Sequence, residues 1–421
     1  MFGLNKFGDG IGLERIARFY RAERVDTGTL STRSIVVTGS NGKGSTARML
    51  AGCLRASGLR VGCFTSPHLF DYRERFVIDD DMIPADAFAR HARTVLAFNA
   101  AQPEDDRLGA FEFLFLIAIL WFEEQAPDVI VWEAGIGGRY DPVRTVRARL
   151  SLLTSVELEH TQLLGATEEL IAYDKSDALA PGGVLVVAPA VESWLHDRLR
   201  AYCALSNKTC VIAADQLEPS RIANTASGAT FSLPGGRAVR LGLIGDHQAS
   251  NAVAALAAAS AWLGDRDLDA MIDALARVRW PGRLERVASA PDLWIDVGHT
   301  PNAIDLVTRA FLDFHPREKT LVVFGVSASK EVRAIAAMVA ERFDRFILTQ
   351  AHKAGAPVSA FLDVFDNRDA QIEPDTAAAA EAARAIAKRD GLSVLALGGL
   401  FLAVEIQHAW TGGDPRKLEF L

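Results

Sequence analysis

The sequence is poor in several signals that would narrow its class at once. Four cysteines occur in 421 residues, Cys53, Cys63, Cys203 and Cys210. Their spacing fits neither a zinc site nor a disulfide framework, so reduced thiols in a cytoplasmic protein are expected. Cationic residues are outnumbered: 45 Lys and Arg against 53 Asp and Glu leave a net charge of −8. No basic run interleaved with aromatics occurs, which argues against a nucleic-acid partner. No uninterrupted apolar run of about 18 residues indicates a membrane span, and the Ala/Leu-rich stretch Ala249–Leu263 is too short and too interrupted. The N-terminus shows no basic segment followed by an apolar one, so no signal peptide is expected. Repeats, low-complexity tracts and coiled-coil heptads are missing as well, and a monomer is the expectation.

What is present is an alternation of short apolar strands and helices. Ser34–Val37, Leu59–Phe64, Val129–Trp132, Leu150–Thr154 and Val184–Ala188 read as buried strands, with helices at Ala47–Ser57 and Phe111–Glu124. This predicts an α/β fold with a parallel sheet. Thr230–Leu241, two runs around Pro234-Gly235-Gly236, reads as a hairpin. Helices follow at His247–Leu263 and Leu268–Val278. Trp280-Pro281-Gly282-Arg283 interrupts the pattern. Alternation then restarts with strands Leu293–Asp296, Thr320–Gly325, Phe346–Thr349 and Val394–Leu397, and helices from Pro301, Lys330, Thr376 and Leu400. The expectation is a P-loop-type parallel-sheet ATPase domain over residues 1–285 and a smaller Rossmann-like α/β domain over 286–421.

Between the first strand and its helix lies Thr38-Gly39-Ser40-Asn41-Gly42-Lys43-Gly44-Ser45-Thr46. The usual phosphate-loop spacing is not met, since only two residues separate Gly39 from Gly42 and Gly44 intervenes before Ser45. The physical requirements are met. Glycines let successive N–H groups face a phosphate, the following helix adds its N-terminal partial charge, Lys43 neutralises phosphate oxygens, and the Ser45 or Thr46 hydroxyl suits Mg²⁺.

Further segments follow in order: Ile11-Gly12-Leu13-Glu14-Arg15; Thr65-Ser66-Pro67-His68-Leu69 with Tyr72-Arg73-Glu74-Arg75; Glu133-Ala134-Gly135-Ile136-Gly137-Gly138-Arg139; His160-Thr161 with Leu164-Gly165; Gly245-Asp246-His247-Gln248 with Asn251; Trp280 to Glu285; and Asp296 with His299-Thr300-Pro301. With the phosphate loop, this series resembles the Mur ligase superfamily, in its folylpolyglutamate synthase/dihydrofolate synthase branch. The resemblance runs nearly end to end. It implies an ATP-dependent amide ligase: ATP converts a carboxylate to an acyl phosphate, and the amine of L-glutamate displaces phosphate.

The resemblance also implies roles. ATP would be held by Asn41, Gly42, Lys43, Gly44, Ser45 and Thr46, with Asn251 at the adenine edge, Arg283 on phosphates and Asp296 completing the site. Lys43, His160, Lys175, Asp296 and His299 would serve catalysis. Two Mg²⁺ sites would draw on Ser45, Ser66, Glu133, His160 and Lys175, the last as a carbamate formed with CO₂. The acid substrate, dihydropteroate or a folate, would lie against Ser66, Pro67, His68, Tyr72, Phe111, Arg139 and Asp141. Phe111 has a competing role in core packing among Phe113, Leu114 and Phe115.

The sequence departs from the branch at several positions. Pro142-Val143-Arg144 replaces Ala-Thr-Asn, Tyr140 a common Leu, Glu159 the Asp before the His, Asp174 a Glu, Thr300 an Asn and Gly399 a common Ser. Two alternatives therefore stand beside the leading reading: the same chemistry on a different carboxylic acid, and a nucleotide-gated binding protein that no longer ligates.

Overall fold

The computed structural model describes residues 12–264, 268–328 and 331–418. Ile11, in the first family segment, and Lys330, expected to open a helix, lie outside the described residues. The chain divides into two compact units. One comprises Met1–Ile222, Thr230–Leu241 and His247–Val278; the other comprises Ala223–Ala229, Gly242–Asp246 and Arg279–Leu421.

The first unit is built on eight strands: β1 (Ser34–Thr38), β2 (Val61–Phe64), β3 (Phe76–Ile78), β4 (Asp81–Met82), β5 (Val129–Glu133), β6 (Leu150–Leu153), β7 (Val184–Val187) and β8 (Thr209–Ile212). Their order is β4-β3-β2-β5-β1-β6-β7-β8. The six strands from β2 to β8 pair in parallel; five of them are the apolar runs read from the sequence, and β8, buried only at Ile212, is an addition. The two at the β4 edge are antiparallel, an addition that the sequence pattern does not signal. β1 and β5 are buried at every position, which is what strands covered on both faces require. Their register sets Val37 beside Glu133, so the phosphate loop and the Glu133 carboxylate leave the same sheet edge. In open α/β sheets that edge collects ligands. One side of the sheet carries an aromatic core of Phe64, Phe76, Phe113, Phe115, Phe122 and Trp132.

Three strands follow, β9 (Ser220–Thr225), β10 (Gly228–Ser232) and β11 (Ala238–Arg240). β10 and β11 form the antiparallel hairpin expected around Pro234.

The second unit's sheet contains β12 (Glu285–Ser289), β13 (Asp292–Ile295), β14 (Thr320–Phe324), β15 (Arg345–Leu348), β16 (Asp369–Ile372) and β17 (Ser393–Leu397), ordered β12-β13-β17-β14-β15-β16. All pairs are parallel except β12 with β13. The last strand inserts between β13 and β14. The loops leaving β13 and β17 are thereby neighbours at the point where the strand order reverses.

Candidate active site

The phosphate loop is held from behind by the segment following β6. Ser155 O accepts from Ser40 N at 2.9 Å, Ser155 Oγ accepts from Asn41 N at 2.8 Å, and Asn41 Nδ2 donates to Glu157 Oε1 at 2.7 Å. Gly42 has φ +80° and caps the helix Lys43–Ala56, a backbone conformation that glycine adopts without a Cβ penalty. The turn presents the helix N-terminus, with its unpaired N–H groups, to the space above β1. Lys43 folds over the loop, its Nζ donating to Gly39 O at 2.8 Å and Ser40 O at 3.1 Å. Behind it Ser45 is buried, and Thr46 Oγ1 is buried with no hydrogen-bond partner. A Cβ on Gly42 would lie 2.5 Å from Asn251 Oδ1, so Asn251 sits directly on the loop. Its Nδ2 is held by Gln248 Oε1 at 3.0 Å.

Lys175 comes from the helix Glu168–Ser176. Its side chain is 1% exposed, and Nζ donates to Glu159 Oε1 at 2.9 Å. Burial lowers its pKa from the ordinary lysine value, Glu159 opposes that shift, and the nearby Lys43 charge reinforces it. Burial also works on the Glu159 carboxylate, but Lys175 and Lys43 outweigh it and hold its pKa below the usual range. The two lysines and Glu159 thus form one electrostatic group at the mouth of the phosphate loop. His160, the next residue, has φ +45° and ψ +37° and is exposed. An L residue adopts that conformation at a cost of about 1 kcal/mol.

Glu133, the buried last residue of β5, accepts from Ser66 N at 2.8 Å through Oε2. This contact joins the first-metal candidate to the Ser66 loop, whose Ser66–Pro67 peptide is cis. The loop closes on Glu74, whose carboxylate accepts from Leu69, Phe70 and Asp71 N–H groups at 2.8–2.9 Å. His68 lies over Tyr72, ring centroids 4.4 Å apart, and its Nδ1 accepts from Arg75 Nε at 2.9 Å. Burial pushes the Arg75 guanidinium down to about 10. Glu74 and Arg75, quoted above only as part of a matching segment, are the residues that shape this loop.

Phe111 is half-buried, whereas Phe113, Leu114 and Phe115 are fully enclosed. Its ring would stand 3.1 Å from a Cβ on Gly135, which leaves it at the core's rim rather than inside it. Asp141 lies beside it and is committed to the backbone. Oδ2 accepts from Gly135 and Ile136 N–H at 2.9 Å, and Oδ1 from Val143 at 3.0 Å. Burial pushes its pKa up to about 6 against those three bonds. Arg139 turns away to Asp177 at 2.9 Å and the Tyr202 hydroxyl at 3.3 Å. Asp174 Oδ1 accepts from Gly138 N at 2.9 Å, tying the glycine-rich loop to the helix that carries Lys175.

The first unit therefore gathers Lys43, Glu159, Lys175 and Asn251 around the phosphate loop, and Glu133 with Ser66. In the second unit, Asp296 is buried at the end of β13. Its oxygens accept from Leu284 N at 2.8 Å and Gly298 N at 2.6 Å. Burial raises its pKa, and the Arg283 charge opposes this. His299 Nδ1 faces Val297 O at 3.3 Å, and a Cβ on Gly399 would lie 3.9 Å from His299 Cβ. Thr300 caps the next helix through Oγ1 to Ala303 N at 3.3 Å.

Among the described residues, no three His, Cys, Asp or Glu side chains converge as a metal cage. Mg²⁺ takes one or two carboxylates and completes its shell with phosphate oxygens and water. The orphaned Thr46 hydroxyl and the strand-end Glu133 are hard oxygen donors of that kind.

Residues 282–400 match the Mur ligase, glutamate ligase domain family. Over 390 residues, 90% of this chain, the sequence is 33% identical to a probable bifunctional folylpolyglutamate synthase/dihydropteroate synthase of Halobacterium salinarum. The match covers 47% of that protein, so the chain spans about half the length of this relative. It is 30% identical over 324 residues to the dihydrofolate synthase/folylpolyglutamate synthase of Escherichia coli, covering 76% of this chain and 73% of that one. A structure of Mycobacterium tuberculosis folylpolyglutamate synthase complexed with ADP and AMPPCP superposes with a TM-score of 0.85, at 26% identity and 96% coverage of both chains. The order of motifs, the two-sheet architecture and these matches agree: the chain belongs to the folylpolyglutamate synthase/dihydrofolate synthase branch of the Mur ligase family.

Proposed function

We propose that the chain is an ATP-dependent ligase that adds L-glutamate to dihydropteroate or a folate through an acyl phosphate. The observation that carries the reading is the group formed by Lys43, Glu159 and Lys175 at a helix N-terminus, with Glu133 tethering the Ser66 loop at the same sheet edge. A carboxylate activated by ATP needs cations on the transferring phosphoryl group and a site that keeps water from the intermediate.

In this reading the loop N–H groups of Asn41–Thr46 cradle the phosphates, and Lys43 leaves its carbonyl partners for the γ-phosphate oxygens. The substrate carboxylate attacks the γ-phosphorus, the bond to the β-bridging oxygen breaks, and ADP departs. The glutamate amine then attacks the acyl carbon, loses its proton, and phosphate leaves. Ser45 or Thr46 with Glu133 would hold one Mg²⁺, and Ser66, His160 and Lys175 a second; the ion supplies neutralisation of the phosphate charge. The depressed pKa of the buried Lys175 suits its carbamate form, which requires a neutral amine. Asn251 on the loop serves the adenine, and Arg283, Asp296 and His299 serve the acyl phosphate. The division into an ATP-binding part, 1–285, and a ligase part, 286–421, belongs to the same proposal, as does a cytoplasmic monomer without nucleic-acid or membrane partners. Among the described residues no helix is long and apolar enough to cross a membrane.

One observation favours a second reading, the same chemistry on another acid. Asp141 and Arg139, both expected at the heterocycle, are engaged by backbone N–H groups and by Asp177. A screen of carboxylic acids with L-glutamate, read by ADP release and product mass, tests both. Glutamyl product from dihydropteroate or a reduced folate supports the first reading. Release only with an unrelated acid selects the second, and no release from a folded, ATP-binding protein sinks both.

A further inference from the structure

The segment Gly12-Leu13-Glu14-Arg15 matches the family but takes no part in the chemistry above. It opens the helix Leu13–Glu23, which buries Ile16, Phe19 and Tyr20 as ordinary core. Arg15 does something different. Only 4% exposed, it donates through Nη2 to both oxygens of Glu112, at 3.1 and 3.4 Å, and its Nη1 lies 3.6 Å from Asp106 Oδ1. A buried ion pair is a weak source of stability, since apolar residues of similar volume often serve as well. Its presence here calls for a role in placement.

Glu112 supplies that role. Besides accepting from Arg15, its Oε2 accepts from Gly109 N at 2.7 Å and so closes the first turn of the helix Ala110–Gln125. The N-terminal segment lies flush on the same carboxylate: a Cβ on Gly12 would fall 1.2 Å from Glu112 Oε1. Phe111 is the adjacent residue on that turn, and its ring reaches the Gly135–Asp141 loop. A helix's first turn has no backbone partners for its N–H groups and is held by what caps it. Here Glu112, on that turn, reaches back to the N–H of Gly109, the residue that precedes it, so the entry to the helix is pinned by a carboxylate that Arg15 holds.

We infer that Arg15 is a positioning residue for the acid substrate: through Glu112 it fixes the first turn of the helix Ala110–Gln125 and so aims the Phe111 ring at the substrate's flat heterocycle. This rests on the proposed stacking role of Phe111. Without Arg15 the Glu112 carboxylate is left buried and under-compensated, draws water or turns outward, and releases the turn. The consequence falls on affinity for the acid. ATP meets the loop Asn41–Thr46, whereas Arg15 acts on Glu112 and Asp106.

The test measures dissociation constants of the purified full chain for dihydropteroate and for a non-hydrolysable ATP analogue. The proteins are the wild type, Arg15→Ala, Arg15→Lys, Phe111→Ala and the Arg15→Ala/Phe111→Ala double variant. Arg15→Ala is expected to weaken dihydropteroate about tenfold or more and to leave the ATP analogue within about twofold. Arg15→Lys recovers part of the loss, and in turnover the KM for the acid rises far more than kcat falls. In the Phe111→Ala background the Arg15 change adds less than about twofold, because both act through one ring. Should Arg15→Ala not fold, Arg15→Lys and Glu112→Gln carry the same comparison. Unchanged acid affinity in folded variants, or losses at Arg15 and Phe111 that multiply, overturns the inference. A wild type that binds no dihydropteroate overturns both the inference and the reading it rests on. A wild type that binds it but forms no glutamyl product overturns the reading of function alone, and the binding series still decides the inference.

Discussion

Gly42→Ala probes the phosphate loop more sharply than removal of Lys43, because its consequences separate into two parts. Gly42 has φ +80°, where an L residue costs about 1 kcal/mol. Its added Cβ would also lie 2.5 Å from Asn251 Oδ1 and 3.2 Å from Asn251 Cγ and Nδ2. Asn251 is buried and pinned to Gln248, so it must yield by roughly 1 Å to restore ordinary contact, and the loss or stretching of that hydrogen bond costs about another 1 kcal/mol. Gly58 is the natural control. Its φ of +85° is nearly the same, and a Cβ there meets nothing within 4 Å. Chemical denaturation should therefore give a loss of about 1 kcal/mol for Gly58→Ala and about 2 kcal/mol for Gly42→Ala. In an Asn251→Ala background the Gly42→Ala penalty should shrink to the Gly58 value. ATP-analogue affinity should fall about tenfold in Gly42→Ala, since the loop's N–H groups are displaced, and stay unchanged in Gly58→Ala. Equal penalties at the two glycines, or a Gly42 surplus that survives removal of Asn251, would refute the contact on which the assignment of Asn251 to the nucleotide depends.

Two other perturbations read the site differently. Burial holds Asp141 protonated more readily than an unfolded aspartate, near 6 against an ordinary 3.8. Its contribution to stability is full below about pH 4 and is lost as pH rises through 6, a swing of about 3 kcal/mol. Asp141→Asn should remove that slope from a comparison of denaturation midpoints at pH 4 and 6.5, and identical slopes in the two proteins would show that Asp141 is not the buried acid described. Glu133→Gln keeps an oxygen to accept from Ser66 N but lacks the charge a divalent cation requires. Folding should be retained within about 1 kcal/mol, while the Mg²⁺ dependence of ATP-analogue affinity falls about tenfold or more. Unaltered Mg²⁺ dependence would remove Glu133 from the metal site.

The parts of the molecule that were legible in the sequence are those whose physics is local. A β-branched run, a glycine turn and a helix start are contiguous, so the phosphate loop announced its own conformation despite its irregular spacing. Glu133 was legible because it ends an apolar run, and the register of β5 against β1 then carries it to the loop. The antiparallel strands β3, β4 and β12 escaped because each depends on a partner, not on its own pattern, and the outermost parallel strands β8 and β16 because they are mostly exposed or half-buried; β4 is two exposed residues long. The acid pocket was harder for a related reason. The resemblance assigns Asp141 and Arg139 to the acid by chemical type, yet what a carboxylate or guanidinium can offer a ligand depends on how many of its bonds the protein has already taken. For Asp141 the takers are the N–H groups of its own loop, and for Arg139 they are Asp177 and Tyr202, far along the chain.

Glu159 shows where sequence and structure have to be combined. In the sequence it is a departure, a glutamate for the aspartate that precedes the histidine in the family. In the structure that carboxylate meets the Lys175 ammonium at 2.9 Å, and the extra methylene adds roughly 1.5 Å of reach. The change is accompanied by a second one at Asp174, whose shorter side chain is spent on Gly138 N rather than on solvent. A longer acid at 159 and a shorter one at 174 both act on the same short stretch of the helix Glu168–Ser176, one on the tip of Lys175 and one at its base. Both departures therefore bear on one buried lysine, Glu159 at its Nζ and Asp174 through the loop packed on the same helix.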